Sequence, residues 1–127
     1  MRLFLLIIAT VLISVDVVAA EPTCSTYNSS PYCAYTGKVQ NLYVNDGDLI
    51  LMYFDSAMDL NQPASVGLSG VATGDAAAIK VSANPEFAKM FYSTALAAQA
   101  SERSVTVQMR NTFNGYLVMD RIWLAAP

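Results

Sequence analysis

The stretch NPEFAKMFYSTALAAQASERSVTV, residues 84–107, begins with the marks of a helix and ends with those of a strand. Asn84 is a good N-cap, because its side-chain oxygen accepts from an orphan backbone N–H. Pro85 suits the first helical position, and Glu86 favours the positive end of the helix dipole. Phe87, Met90, Phe91, Thr94, Ala95 and Ala98 recur at i, i+3, i+4, i+7, i+8 and i+11, which predicts one buried helical stripe. The stripe is bulky in its first half and alanine in its second. Such a taper lets the C-terminal half approach a partner surface closely while the aromatic end fills a hole. After Glu102-Arg103 the period changes to two, with Val105, Val107 and Met109 on one parity of a strand.

Strand signals flank this helix on both sides. Upstream, the strand at Tyr35–Val44 places Val39 and Tyr43 on one parity and Leu42 and Val44 on the other. Asn45-Asp46-Gly47-Asp48 then reads as a hairpin turn, with Gly47 taking a positive φ. Leu49–Phe54 is a nearly continuous apolar strand. Asp46, Asp48, Asp55 and Asp59 lack the alternating ligands and distal Glu of a calcium loop, so no metal is expected. Residues 56–65 read as a loop. VGLSGVATGDAAAIKVS, residues 66–82, holds a third strand bent at Gly70 and Gly74. Its glycine spacing fits neither a nucleophile elbow nor a phosphate-binding loop. Downstream, Asn111–Gly115 is a turn and Tyr116–Leu124 the last strand.

The order is therefore three strands, one helix and two strands, a mainly β pattern. A single helix between strands three and four of a five-stranded Greek-key barrel is the arrangement of the OB-fold. A generic α+β sandwich is the alternative. The domain is expected to span residues 35–127, behind an arm at 21–34 and a leader at 1–20.

The leader reading rests on Arg2, the apolar run Leu3–Val15 and the small-x-small end Val18-Ala19-Ala20, which together predict cleavage before Glu21. Export, to the periplasm or out of the cell, follows. The chain carries 7 basic and 10 acidic residues and a net charge of −3. With no basic run, nucleic acid and anionic membrane are not expected as partners. Cys24 and Cys33 close CSTYNSSPYC, and in an oxidising compartment they are expected to pair. Closing that loop contributes about 2.5–3 kcal/mol by chain-entropy reasoning. A redox pair would have two intervening residues rather than eight.

The sequence contains no histidine. That removes the commonest general base, the usual zinc ligand and the standard activator of Ser or Cys nucleophiles. Asp55 and Asp59 are the remaining pair of acids, at a strand end and in a loop. No catalytic residue and no cofactor are expected.

Tyr35-Thr36-Gly37-Lys38-Val39, together with FYSTALAAQASERSVTV at residues 91–107, resembles the binding subunit of subtilase-type AB toxins. The resemblance covers roughly residues 35–124. It implies an exported OB-fold that assembles as a pentamer and binds cell-surface glycan, beside a separate catalytic subunit. Thr36 stands where such subunits carry a serine that contacts sialic acid. Met109 stands where they carry a sugar-contacting tyrosine.

Further candidates come from composition. Tyr27, Tyr32 and Tyr35 beside Asn28, Ser29 and Ser30 combine aromatic faces with hydrogen-bonding groups, a mixture used in sugar and protein recognition. On the helix, Tyr92 and Leu96 lie i, i+4 apart and off the predicted stripe, so they are candidates for a homo-oligomer interface. The expected function is a non-catalytic, glycan-binding recognition module. The alternative is a monomeric periplasmic or secreted domain that binds another exported protein or fills a structural role.

Overall fold

The computed structural model describes residues 21–127; the leader reading falls on residues 1–20, outside the described residues. Six strands form one sheet: β1 (Thr23–Tyr27), β2 (Ser30–Asn45), β3 (Leu49–Phe54), β4 (Ala76–Lys80), β5 (Ser104–Phe113) and β6 (Tyr116–Leu124). Two helices accompany them, the short α1 (Asn61–Ser65) and the principal helix α2 (Pro85–Ala100). The sheet order is β1-β2-β3-β4-β6-β5, with a further pairing of β2 to β5. All pairs are antiparallel except β4 with β6, which meet in parallel through Ala77↔Leu117 and Ala78↔Val118.

β2 holds the sheet together by serving three partners, β1 through Ser30–Ala34 and two more along the rest of its length. Cys33–Lys38 pair with β5, and Val39–Asn45 pair with β3. The register shifts between Val39 and Asn41, an irregularity of the kind that bends a strand from one neighbour to the next. β2 starts at Ser30, five residues before the sequence reading placed it, because β1 folds back along it. Asn28 and Ser29 both take positive φ (47° and 60°) between the paired Tyr27 and Ser30. That is a two-residue primed turn whose twist suits a hairpin.

Two other turns depart from expectation. The β2–β3 loop holds three residues, Asp46–Asp48, and the positive φ (68°) belongs to Asp48 rather than Gly47. A three-residue hairpin places its last residue in the left-handed region. The β5–β6 turn contracts to Asn114-Gly115, with φ of 49° and 83°, and the strand continues to Phe113. The expected third strand shortens to Ala76–Lys80. Just before it, Gly74 lies so close to Met58 that an added Cβ would collide with the Met58 carbonyl oxygen.

Helix α2 begins as its sequence dictates, with Asn84 Oδ1 accepting from Phe87 N at 3.0 Å. Its buried face is Ala88, Phe91, Ala95 and Ala98. This corrects the predicted stripe: Met90 is 63% exposed, while Phe87 and Thr94 are half-buried. With ~100° between successive residues, Met90 projects about 120° away from the centre of that face. The alanines bring the helix close to β2 and β6, and Phe91 fills the remaining space. Cys33, Tyr35, Met52, Val105, Val107, Met109 and Leu117 supply the facing core. A second cluster, Leu49, Leu51, Ala76 and Ala78 under Tyr53, Phe113 and Tyr116, covers the other face of β3 and β4. Burial on both faces accounts for the unbroken apolar run of β3.

Candidate functional site

Strand alternation sorts the candidates. On β2, Cys33, Tyr35 and Val39 point into the core, so Tyr32, Ala34, Thr36 and Lys38 point outward. On β5, Val105, Val107 and Met109 are buried, which turns Thr106, Gln108 and Arg110 to the same outer face. On β6, Arg121 and Trp123 stand opposite Gln108 and Thr106 and continue it. The outer face therefore reads in rows across the strands: Thr36, Thr106, Trp123 in one and Ala34, Gln108, Arg121 in the next.

Tyr27, Tyr32, Gln108, Arg110 and Arg121 line a polar cleft of about 370 Å³ on this face. Arg110 organises its floor. Its Nε donates to Asp120 Oδ2 at 2.9 Å, its Nη1 donates to Ser30 Oγ at 3.3 Å, and its guanidinium lies 5.3 Å from the Tyr32 ring centre. Gln108 is nearly buried and donates from Nε2 to Asp120 Oδ1 at 3.2 Å. Asp120 thereby answers Arg110. Arg121 forms no hydrogen bond or ion pair among the described residues, so it leaves the cleft with an uncompensated positive charge.

The disulfide Cys24–Cys33 joins directly paired residues of β1 and β2, with Cα atoms 4.0 Å apart. Both cysteines face the core side, and the bond fixes the hairpin that carries Tyr27 and Tyr32. Tyr27 is 65% exposed at the hairpin end, and Asn28 forms the turn itself. Thr36 is exposed and shares a 2.7 Å hydrogen bond between hydroxyls with Thr106. It lies on the same outer face as the cleft.

Tyr35 does not belong with these residues, which corrects its place among the glycan candidates. It is 2% exposed, packs edge-on against Phe54, and donates its hydroxyl to Ser56 O at 2.8 Å. Burial, with Asp55 nearby, pushes its phenol above the usual tyrosine range. Met109, at the position of the toxin subunits' tyrosine, is fully buried, whereas its neighbours Gln108 and Arg110 face the cleft. Gln108, Arg110, Asp120, Arg121 and Trp123 went unnoticed in the sequence. The apolar alternation Val105, Val107, Met109 already implied that the residues between them face outward.

Three of the remaining acids accept from the backbone. Asp55 Oδ1 accepts from Lys38 N at 3.0 Å, and Asp59 Oδ1 accepts from Asn61 N at 2.8 Å. Asp48 accepts from Ser82 N and Ser82 Oγ, both at 2.5 Å, and these bonds hold its carboxyl below the usual range. Among the described residues no three of His, Cys, Asp and Glu gather in a metal-holding group. On α2, Tyr92 is half-buried and packs against the core cluster, while Leu96 is 41% exposed.

Comparison with family models, curated proteins and solved structures returned no match.

Proposed function

We propose that this chain is an exported OB-fold recognition module whose outer face binds glycan, as the resemblance to subtilase-type toxin binding subunits implies. Support for the fold reading comes from the pairings β2–β3, β3–β4, β4–β6, β6–β5 and β5–β2, which return to their starting strand, with α2 between β4 and β5. A Greek-key barrel of this kind has five strands, so β1 is an added hairpin arm.

The observation that carries the functional reading is the convergence of Tyr27, Tyr32, Gln108, Arg110 and Arg121 in one cleft. Aromatic rings offer apolar faces to sugar C–H groups, and fixed planar side chains offer directional hydrogen bonds to hydroxyls. The free guanidinium of Arg121 suits a sugar unit bearing a carboxylate. Trp123 and the Thr36–Thr106 pair extend the surface beside it.

A glycan array probed with protein recovered from an oxidising compartment tests this reading. The expected result is binding to a defined glycan set, reduced about 10- to 100-fold by Arg121→Ala, the effect of deleting one charge-assisted hydrogen bond. Absence of binding to any glycan, or binding unaffected by Arg121→Ala and Tyr32→Ala together, refutes it.

The second reading, a protein-binding domain, is favoured by β1, which ends the sheet order and pairs only with β2. An exposed edge of this kind accepts a strand from a partner. Assembly into a homo-oligomer remains part of the toxin-like reading. Leu96 and Met90 are the apolar residues that α2 leaves exposed for it.

A further inference from the structure

A second concavity, on a different part of the molecule from the polar cleft, lies between the β2–β3 hairpin and the first half of α2. It has a volume of about 940 Å³, within the range of small-molecule sites. Its walls are Val44, Ile50, Val81, Pro85, Ala88 and Tyr92. Val44 is 54% exposed and Tyr92 half-buried, while Ile50 and Ala88 belong to the core and close the base, so among the described residues the open apolar surface is mainly that of Val44 and Tyr92. The walls come from β2, β3, α2 and, through Val81, the single 3-10 turn Val81–Ala83 that leads into α2.

The charges around the rim are unequal. At the hairpin end stand Asp46 and Asp48. Asp48 remains ionised because both its oxygens accept from Ser82, and Asp46 has no hydrogen-bond partner among the described residues. The basic group on the rim is Lys89, and Glu86 already answers it at 3.0 Å. Lys80, whose ammonium sits over the Phe113 ring at 5.3 Å from the centroid, is also near enough to Asp48 to help hold its carboxyl down, which leaves Asp46 as the unanswered charge at that end. The groove is thus apolar along its length and negative at one end.

We infer that this groove is a ligand site for a small molecule with an aliphatic or aromatic body and one cationic group. The body lies along Val44, Ile50, Ala88 and Tyr92, and the cation sits against Asp46 and Asp48. The site is independent of glycan recognition, because it shares no residue with the polar cleft.

Octyltrimethylammonium, octyl sulfate and octyl glucoside, each below its micelle concentration, separate the body from the charge. Calorimetry with the disulfide-intact protein is expected to show saturable one-to-one binding of octyltrimethylammonium. Two surface carboxylates favour it over octyl sulfate by about tenfold. Amide shifts of the labelled protein are expected to cluster at Val44, Ile50, Val81 and Ala88. Asp46→Asn should weaken the cation about two- to fivefold, and Val44→Lys, at an exposed position that the fold tolerates, should abolish binding. Four results overturn the inference: no binding, equal or tighter binding of octyl sulfate, shifts centred elsewhere, or a ligand-free dimer that buries Val44.

Discussion

Replacing Phe91 by Ala, with Met90→Ala as its partner, separates the helix face that the structure assigns from the one that apolar spacing alone suggests. Phe91 is fully buried between Ala88 and Ala95 on the face that meets β2 and β6, with its ring 6.3 Å from that of Phe87. Truncation to Ala removes the ring and leaves a cavity that alanine neighbours cannot refill, which costs about 3–5 kcal/mol. Domains of this size have total stabilities of about 5–15 kcal/mol, so the variant is expected to lie close to the unfolding threshold. The midpoint falls about 4–8 °C per kcal/mol for domains of up to ~100 residues, which predicts a drop of roughly 12–40 °C. Met90, 63% exposed, should change stability by no more than about 0.5 kcal/mol. Urea unfolding followed by far-ultraviolet circular dichroism, with the disulfide intact, measures both. Equal losses for the two variants, or a loss below about 1 kcal/mol for Phe91→Ala, would contradict the packing described.

Three further outcomes follow from local geometry. Gly74→Ala should destabilise by more than about 2 kcal/mol, because its Cβ would collide with the Met58 backbone oxygen and one of the two segments must move; a wild-type melting curve would contradict this. The Asp48 carboxyl is held below its ordinary value of 3.8 by Ser82, so its contribution is present above that value and is lost as acid protonates the folded form. Stability measured from neutral to about pH 2 should therefore fall less steeply below pH 3.8 in Asp48→Asn than in the wild type, and parallel curves would exclude the link. Replacing both cysteines by Ser should cost about 2–3 kcal/mol from the nine-residue separation and raise amide exchange first in β1, which pairs only with β2; uniform exchange across the sheet would contradict that.

What the sequence revealed, and what it hid, follows from how local each signal is. The start of α2 was legible because Asn84, Pro85 and Glu86 act within one turn. Its buried face was misjudged because apolar spacing favours bulky Met90 over small Ala88, whereas close approach to the sheet selects the small residue. The opening of β2 was missed because Ser30-Pro31-Tyr32 is polar and aromatic; pairing with β1, a tertiary partner, makes it a strand. Tyr35 looked like a surface aromatic beside Tyr32, yet strand alternation places it with Cys33 and Val39 inside. The cleft was hardest to read. Its arginines and glutamine lie on β5 and β6, remote in sequence from the tyrosines of the arm, and only the β2–β5 pairing brings them together.

The sequence contains one tryptophan, Trp123, which is 47% exposed in the row beside Gln108 and Arg121. Its emission therefore reports on the outer face alone. Titrating the disulfide-intact protein with a glycan selected on the array should produce a saturable change in Trp123 emission, and Arg121→Ala should move its midpoint about 10- to 100-fold higher. A glycan that binds without altering Trp123 emission, and whose amide shifts fall on α2 rather than on β2, β5 and β6, would contradict recognition by this face.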